Sequence, residues 1–268
     1  MISSLKADLR KMRSRSSVWV LGALWLILAL FFGYVLPFLL RQSPSSDPEQ
    51  LLAGMLPESV LRTVTGATAG FGETIALILA AVVAGSEYGW GTVKTVLTQR
   101  PSRLEVFAGQ VAALALVSGL LVLLASGPSA VASYTVAQAE GARVAWPEWS
   151  EVVRGLGAAW LILGTGAALG FALAVLFRQT AAAIGLGLVY LLLLEALLDT
   201  FARSSELVTK IAEFLPTANA NALVRSFGGG GASAGPTVDP GQAALVLFAY
   251  TVGLILLAGF LYVRRDVL

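Results

Sequence analysis

The feature that most constrains this chain is a series of apolar blocks, each about as long as a lipid bilayer is thick. Residues 18–40 carry no charged side chain over 23 positions. A membrane-spanning helix needs about 20 apolar residues, because it rises about 1.5 Å per residue across about 30 Å of hydrocarbon. We therefore predict a single-domain, all-α, polytopic membrane protein (1–268) with six transmembrane helices. The predicted spans are residues 18–40, 64–85, 104–126, 155–177, 181–198 and 243–263.

The chain contains neither histidine nor cysteine. Disulfides, thiol catalysis and thiolate metal sites are therefore excluded, as are the triads, zinc sites and haem sites that depend on imidazole. The sequence also has no Gly-x-x-x-x-Gly-Lys-Ser/Thr loop of the kind that binds nucleotide phosphates. We expect a protein that is not an enzyme and has no catalytic, cofactor-binding or metal-binding residues.

The first 17 residues are predicted to form an amphipathic helix. Ile2, Leu5, Leu9 and Met12 recur at helical spacing, and Asp8 is the only acid among several basic residues. Such a helix would lie along the membrane surface, held by apolar burial and by anionic lipid.

The basic residues are distributed unevenly between the two sides of the predicted bundle. The N-terminal region, the 86–103 loop, the turn at 178–180 and the C-terminal region hold 11 of the 18 basic residues, and only four of the 16 acidic ones lie in or next to them. Because positive charge is retained in cytoplasmic loops, this side is predicted to be cytoplasmic. An even number of spans then puts both termini in the cytoplasm of a multi-pass protein of the plasma membrane.

The segment 86–103 is the polar stretch that says most about function. From Trp90 onwards it favours a short helix with Trp90, Val93 and Leu97 on one face, ended by Pro101. An apolar face of this kind needs a surface to bury against. The residues alone allow either another protein or the lipid headgroups.

With this segment in view, the chain resembles the permease subunits of ATP-binding-cassette (ABC) exporters of the ABC-2 type. The resemblance covers nearly the whole chain, from an elbow-like amphipathic helix through six spans. The motifs that carry it are Glu87-x-x-x-Gly91-Thr92, the following Ser102-Arg103, residues 214–223 and residues 263–267.

The resemblance implies that residues 86–103 contain a coupling helix that docks on a separate ABC ATPase subunit. ATP and magnesium would then bind to that partner, and no cofactor would bind to this chain. A second permease copy or a homologue, together with membrane lipids, completes the expected partners; no nucleic acid is expected. The implied docking residues are Glu87, Trp90, Gly91, Thr92, Val93, Leu97, Arg100 and Arg103.

Residues 201–240 are predicted to be an external segment. Leu207, Val208, Ile211 and Phe214 share one helical face, and Pro216 interrupts the run. The resemblance implies an external re-entrant hairpin before the last span; the residues alone also allow a simple surface helix.

Three acidic residues fall within or beside the spans: Glu73, Glu195 and Asp199. Intramembrane acids are costly and often mark transport routes. Counted from the predicted inner ends of their helices, Glu73 and Glu195 lie at nearly the same depth, about 20 Å from the inside. They are candidate pathway residues for a cationic or polar group; the alternative is that each is neutral, or paired with Arg62 or Arg154.

The leading functional hypothesis is a permease that exports a lipophilic or amphipathic substrate such as a drug, antibiotic peptide, lipid or glycan-like molecule. Two alternatives stay open: a membrane scaffold or sensor without flux, and a proton-coupled secondary transporter that uses Glu73 and Glu195. A membrane-embedded enzyme is disfavoured, because no histidine, cysteine or paired catalytic acids are present.

Overall fold

The protein is all-helical in a computed structural model. The structure describes residues 2–43, 47–89, 102–194, 197, 210–228 and 238–264, and this part of the chain contains no β-strand. The all-α prediction is confirmed. The predicted docking residues between 90 and 101 and the acids Glu195 and Asp199 lie outside the described residues.

Nine helices organise the described residues. Proline starts several of them, as expected for a residue whose missing N–H costs nothing in the first turn. In chain order they are α1 (Ile2–Ser14), α2 (Ser16–Leu40), α3 (Pro48–Met55), α4 (Pro57–Glu87), α5 (Arg103–Ala139), α6 (Trp149–Phe177), α7 (Thr180–Leu194), α8 (Pro216–Ser226) and α9 (Pro240–Arg264).

Five of these helices, α2, α4, α5, α6 and α9, are long and apolar enough to cross a membrane. The fifth predicted span coincides with α7, whose 15 described residues end at Leu194, next to residues outside the description. The membrane character of the chain is thus supported, and the count of six stays a prediction. Helix α5 is longer than predicted, with 37 residues.

Helices α4 and α6 form the centre of the bundle, and glycines let their backbones approach closely. A side chain at Gly166 would collide with the backbone carbonyl of Glu73, and one at Gly170 would collide with that of Leu77. Small residues commonly allow this kind of packing between membrane helices. By contrast, a Cβ atom added at Gly164 would meet no atom within 4 Å.

Helices α2 and α5 run side by side. The fully buried Trp25 donates its indole N–H to the carbonyl oxygen of Leu121 over 3.0 Å. Beyond the end of α2, Arg41 forms an ion pair with Glu140 at the end of α5, with Nη1 and Oε1 2.7 Å apart. The buried tryptophan and the ion pair thus fix the register of the two helices along their length.

Two ends of the bundle follow from these contacts. The α1 end gathers α1, the end of α4, the start of α5 and the end of α9, where Arg103 donates to the carbonyl oxygen of Val263. The far end carries the Arg41–Glu140 pair together with α3 and α8. Which end faces the cytoplasm stays a prediction.

The connections at the far end contain more structure than the sequence indicates. The stretch 41–57 includes α3, which Asp47 caps by accepting from the backbone N–H groups of Glu49 and Gln50. Residues 210–212 are helical and turn into α8 at Pro216. A helix–turn–helix thus occupies part of the predicted hairpin, whose re-entrant character stays a prediction.

Three of the long or apolar helices contain a π-helical segment. The segments are Phe31–Val35 in α2, Thr68–Gly72 in α4 and Val189–Leu194 in α7. Such segments are rare and occur frequently at functional sites. The one in α4 ends directly before Glu73, a candidate pathway residue.

Candidate functional site: a polar junction at the α1 end

Lys11 joins the amphipathic helix to the end of α4. Its ammonium group lies 3.2 Å from a carboxylate oxygen of Asp8 on the same helix and 3.1 Å from Oε1 of Glu87. Both acids are only 7% exposed, whereas the Lys11 side chain is 39% exposed. One half-exposed cation therefore bridges two buried carboxylates.

Gln110 on α5 binds the other oxygen of the Glu87 carboxylate. Its amide Nε2 donates to Oε2 of Glu87 in a short hydrogen bond, and its side chain is 5% exposed. Glu87 thus receives a donor on each oxygen, one from α1 and one from α5. Because burying a carboxylate without partners is costly, these two donors are what permits Glu87 to be buried.

Arg15, the residue between α1 and α2, adds a second link to α4. Its Nη1 donates to Ser86 Oγ at 2.7 Å and to the carbonyl oxygens of Val83 at 3.2 Å and Val82 at 3.4 Å. A cation near the C-terminal end of a helix also interacts favourably with the helix dipole. We call Asp8, Lys11, Arg15, Ser86, Glu87 and Gln110 the junction cluster.

Burial and the neighbouring charges shift the pKa values of Asp8 and Lys11 on α1. Burial raises the pKa of Asp8, against the opposing effect of Lys11 and Arg15. Burial acts to lower the pKa of Lys11, but the carboxylates of Glu87 and Asp8 outweigh it and hold that pKa above its ordinary value. Lys11 therefore remains a cation throughout the physiological pH range.

The segment that follows Glu87 is held at its other end too. Ser102 caps α5: its hydroxyl oxygen accepts from the backbone N–H of Glu105, and the Glu105 carboxylate accepts from the Ser102 N–H, both at 3.2 Å. Arg103 then donates to the carbonyl oxygen of Val263 at the end of α9, at 3.1 Å. Both ends of the 88–101 segment are thus attached to the helix bundle.

The predicted docking residues divide accordingly. Glu87 and Arg103 flank the segment, and both bind neighbouring helices. Their docking role stays a prediction, and so does that of the residues outside the description, namely Trp90, Gly91, Thr92, Val93, Leu97 and Arg100.

Glu73 lies deep in the bundle, away from the junction cluster. Its side chain is 3% exposed, and its backbone carbonyl faces Gly166 of α6. The two arginines that the sequence offered as partners bind elsewhere: Arg62 donates to the carbonyl oxygen of Gly228 and Arg154 to that of Ser150. The predicted equal depth of Glu73 and Glu195, and the pathway role of Glu195 and Asp199, involve residues outside the description.

A family model described as "Protein of unknown function (DUF2705)" matches residues 21–268. The chain belongs to the DUF2705 family. None of the curated proteins matches it. Within the junction cluster, Ser86, Glu87 and Gln110 fall in the part that the DUF2705 model covers, whereas Asp8, Lys11 and Arg15 precede that part.

Sequence reasoning did not find the α1 half of the junction cluster in this DUF2705 protein. Asp8, Lys11 and Arg15 are spaced three and four residues apart, which places them along one face of the helix predicted for residues 1–17. That face lies beside the stripe formed by Leu5, Leu9 and Met12. The available sequence signal was Asp8, the single acid within a basic helix, three residues before Lys11. No sequence signal indicated their partners on α4 and α5.

The chemistry of the junction cluster is that of a fixed polar joint. Two basic side chains, two acidic side chains, one amide and one hydroxyl bind one another and the backbone of α4. Among the described residues, no group of three or more acidic side chains is placed to hold a metal ion. The arrangement joins α1, α4 and α5 at one end of the bundle.

Proposed function

We propose that the chain is the membrane-spanning permease subunit of an ATP-driven exporter of the ABC-2 type. It forms the path for a lipophilic or amphipathic substrate, and a separate ATPase subunit binds and hydrolyses ATP. The permease works as a pair, with a second copy or a homologue, in the plasma membrane with both termini in the cytoplasm.

The observation that carries the proposal is the attachment of the 88–101 segment at both of its ends. Glu87 connects one end to α1 and α5 through Lys11 and Gln110. Arg103 connects the other end to α9. A partner that grips this segment would therefore act on four helices at once, as a docking element requires.

The sequence pattern supplies the gripping surface. Trp90, Val93 and Leu97 fall on one face of the helix predicted for the segment. Since the sequence has no nucleotide-binding loop of its own, the energy for export comes from the partner. Closure of two ATPase subunits on ATP draws the segments together and shifts the population of two bundle conformations.

A second candidate function, proton-coupled transport, is favoured by the position of Glu73. This carboxyl group is 3% exposed at mid-bundle and directly follows a π-helical segment. In that case Glu73→Gln would abolish transport in cells whose ATP is depleted but whose proton gradient is intact. An ATP-driven exporter would lose transport on ATP depletion alone.

Co-purification with the ATPase tests the leading proposal. The tagged chain is purified from its own membranes, and P-loop ATPase subunits are identified in the eluate. Wild type is compared with Trp90→Glu plus Val93→Glu, which puts two charges on the predicted docking face. We expect wild type to retain an ATPase and the double variant to lose it.

The matched control is Trp149→Glu plus Val153→Glu. These two side chains are 77% and 52% exposed at the start of α6, at the far end of the bundle. The control should retain the ATPase. Absence of any ATPase from wild type, or its equal loss from the control, would contradict the proposal.

A further inference from the structure

A pocket of about 580 Å³ opens at the far end, away from the junction cluster. It lies between α2, α3, α4 and α8, and its volume is in the range of small-molecule sites, about 300–1,000 Å³. Its lining is apolar at one side and polar at the other. The residues that define it are Phe32, Phe71, Gln50, Leu51, Arg62 and Val224.

Two aromatic rings form the apolar side of the pocket. Phe32 of α2 and Phe71 of α4 pack with their ring centroids 4.6 Å apart. Each belongs to a π-helical segment, where the helix is locally widened and its side chains are redirected. The two deviations from α-helix thus meet at this pocket.

Arg62 forms the polar side. Its Nη1 donates to the carbonyl oxygen of Gly228 at 3.3 Å. Among the described residues it forms no ion pair. A Cβ atom on Gly54 would lie 2.6 Å from its Nη2, so the glycine leaves the room that the guanidinium occupies against α3.

The separation of these two sides suits an amphiphile. Arg62 and Phe71 are nine residues apart on α4, or about 13 Å along a helix. The pocket also adjoins the lipid-exposed face of α2, where Phe31, Val35 and Phe38 are 40%, 46% and 50% exposed. An alkyl chain can therefore enter from the hydrocarbon while its headgroup stays at the level of Arg62.

We propose that this pocket binds a lipid-like amphiphile with a phosphate headgroup. The Arg62 guanidinium binds the phosphate, for which its planar set of donors is well suited. The alkyl chain lies against Phe32 and Phe71. The ligand is a membrane phospholipid or an exchangeable alkyl phosphate, since both present the same chemistry. The site does not require an ATPase partner, so it stands or falls independently of the proposed function.

Native mass spectrometry of the purified full chain in a non-ionic detergent tests the site. Dodecyl phosphate, dodecyltrimethylammonium and inorganic phosphate are added separately to wild type, Arg62→Gln and Arg154→Gln. Arg154 is the matched control, because it also lies at the far end and donates to a backbone carbonyl, that of Ser150. We expect saturable binding of dodecyl phosphate alone, weakened about tenfold or more by Arg62→Gln and unchanged by Arg154→Gln.

A second pair of variants keeps the arginine and fills the pocket. A Cβ atom at Gly66 would lie 3.7 Å from Cγ1 of Val224, an ordinary contact. Gly66→Ala should therefore bind dodecyl phosphate as wild type does, whereas Gly66→Leu should exclude its chain. This pair decides the question even if Arg62→Gln does not fold.

The source of the ligand follows from the same spectra. A phospholipid that stays bound to wild type through purification and is lost from Arg62→Gln identifies a membrane lipid. A pocket that is empty after purification and fills with dodecyl phosphate identifies an exchangeable amphiphile. Equal binding to Arg62→Gln and Arg154→Gln, equal binding to Gly66→Leu and Gly66→Ala, or equal binding of dodecyltrimethylammonium would overturn the proposal.

Discussion

At the α1 end, Lys11 and Arg15 bind buried acceptors on α4, whereas at the far end Arg62 borders an open pocket and forms no ion pair among the described residues. The first arrangement closes a joint between helices, and the second leaves a cation accessible to a ligand. Similar side chains thus join helices in the junction cluster and, at Arg62, line an open pocket. The difference lies in what surrounds them, since a paired buried charge stabilises packing and an open cation attracts anions.

The largest expected effect is the loss of Glu87. Glu87→Ala removes the acceptor of both Lys11 and Gln110 and leaves the buried amide of Gln110 without this partner. We expect the free energy of unfolding to fall by about 2–4 kcal/mol, measured by denaturant unfolding in detergent. Glu151→Ala, which removes an exposed acid at the start of α6, is the control. A change at Glu87 no larger than that of the control would remove the contrast between the two ends.

A smaller effect is expected from Arg15→Ala. The variant loses the contacts to Ser86 and to the carbonyl oxygens of Val82 and Val83. We expect a loss of about 1–2 kcal/mol in the free energy of unfolding, against almost none for Arg10→Ala on the exposed side of α1. If the two variants are equally stable, Arg15 does not hold α1 on α4.

The smallest expected effect is a difference between the two ends in how their contributions to stability depend on pH. The raised pKa of Lys11 means that its contribution to stability is present below about pH 10 and is lost as the pH rises through the folded-state pKa. At the far end, the hydrogen bond from Arg41 holds the pKa of Glu140 below its ordinary value. Its contribution is therefore present above about pH 4 and is lost as the pH falls through the folded-state pKa.

Thermal unfolding across the pH range checks this contrast. Lys11→Met should flatten the alkaline limb of the stability profile. Arg41→Gln should flatten the acid limb and leave the alkaline limb as in wild type. An equal change of the alkaline limb in both variants would show that the ends are not electrostatically separate.

Much of the bundle follows from hydropathy, because lipid imposes a length on each span. The apolar run at 18–40 predicts α2 to within a few residues, and the periodicity of Leu5, Leu9 and Met12 predicts α1. The ends of α4 and α5 were harder to predict from the sequence, since these helices continue past the apolar runs into polar residues that tertiary contacts stabilise. The π-helical segments could not be predicted, because their amino-acid composition does not distinguish them from the surrounding α-helix.

The junction cluster shows which contacts cannot be predicted from a single sequence. Glu87 was selected as a docking residue through the resemblance to ABC-2 permeases, and the structure adds its burial between α1 and α5. Lys11 and Glu87 are 76 positions apart. Neither local spacing nor hydropathy can predict a contact between residues so far apart in the sequence. The α1 half of the cluster could therefore be recognised only from the folded structure.

The central claim is that Lys11 and Glu87 couple α1 to α4 at the base of the 88–101 segment. A double-mutant cycle tests it with Lys11→Met, Glu87→Gln and the combined variant, each measured by its free energy of unfolding. The account predicts a coupling energy of about 1 kcal/mol or more. Changes that add to within about 0.5 kcal/mol would contradict it, because the two side chains would then act independently.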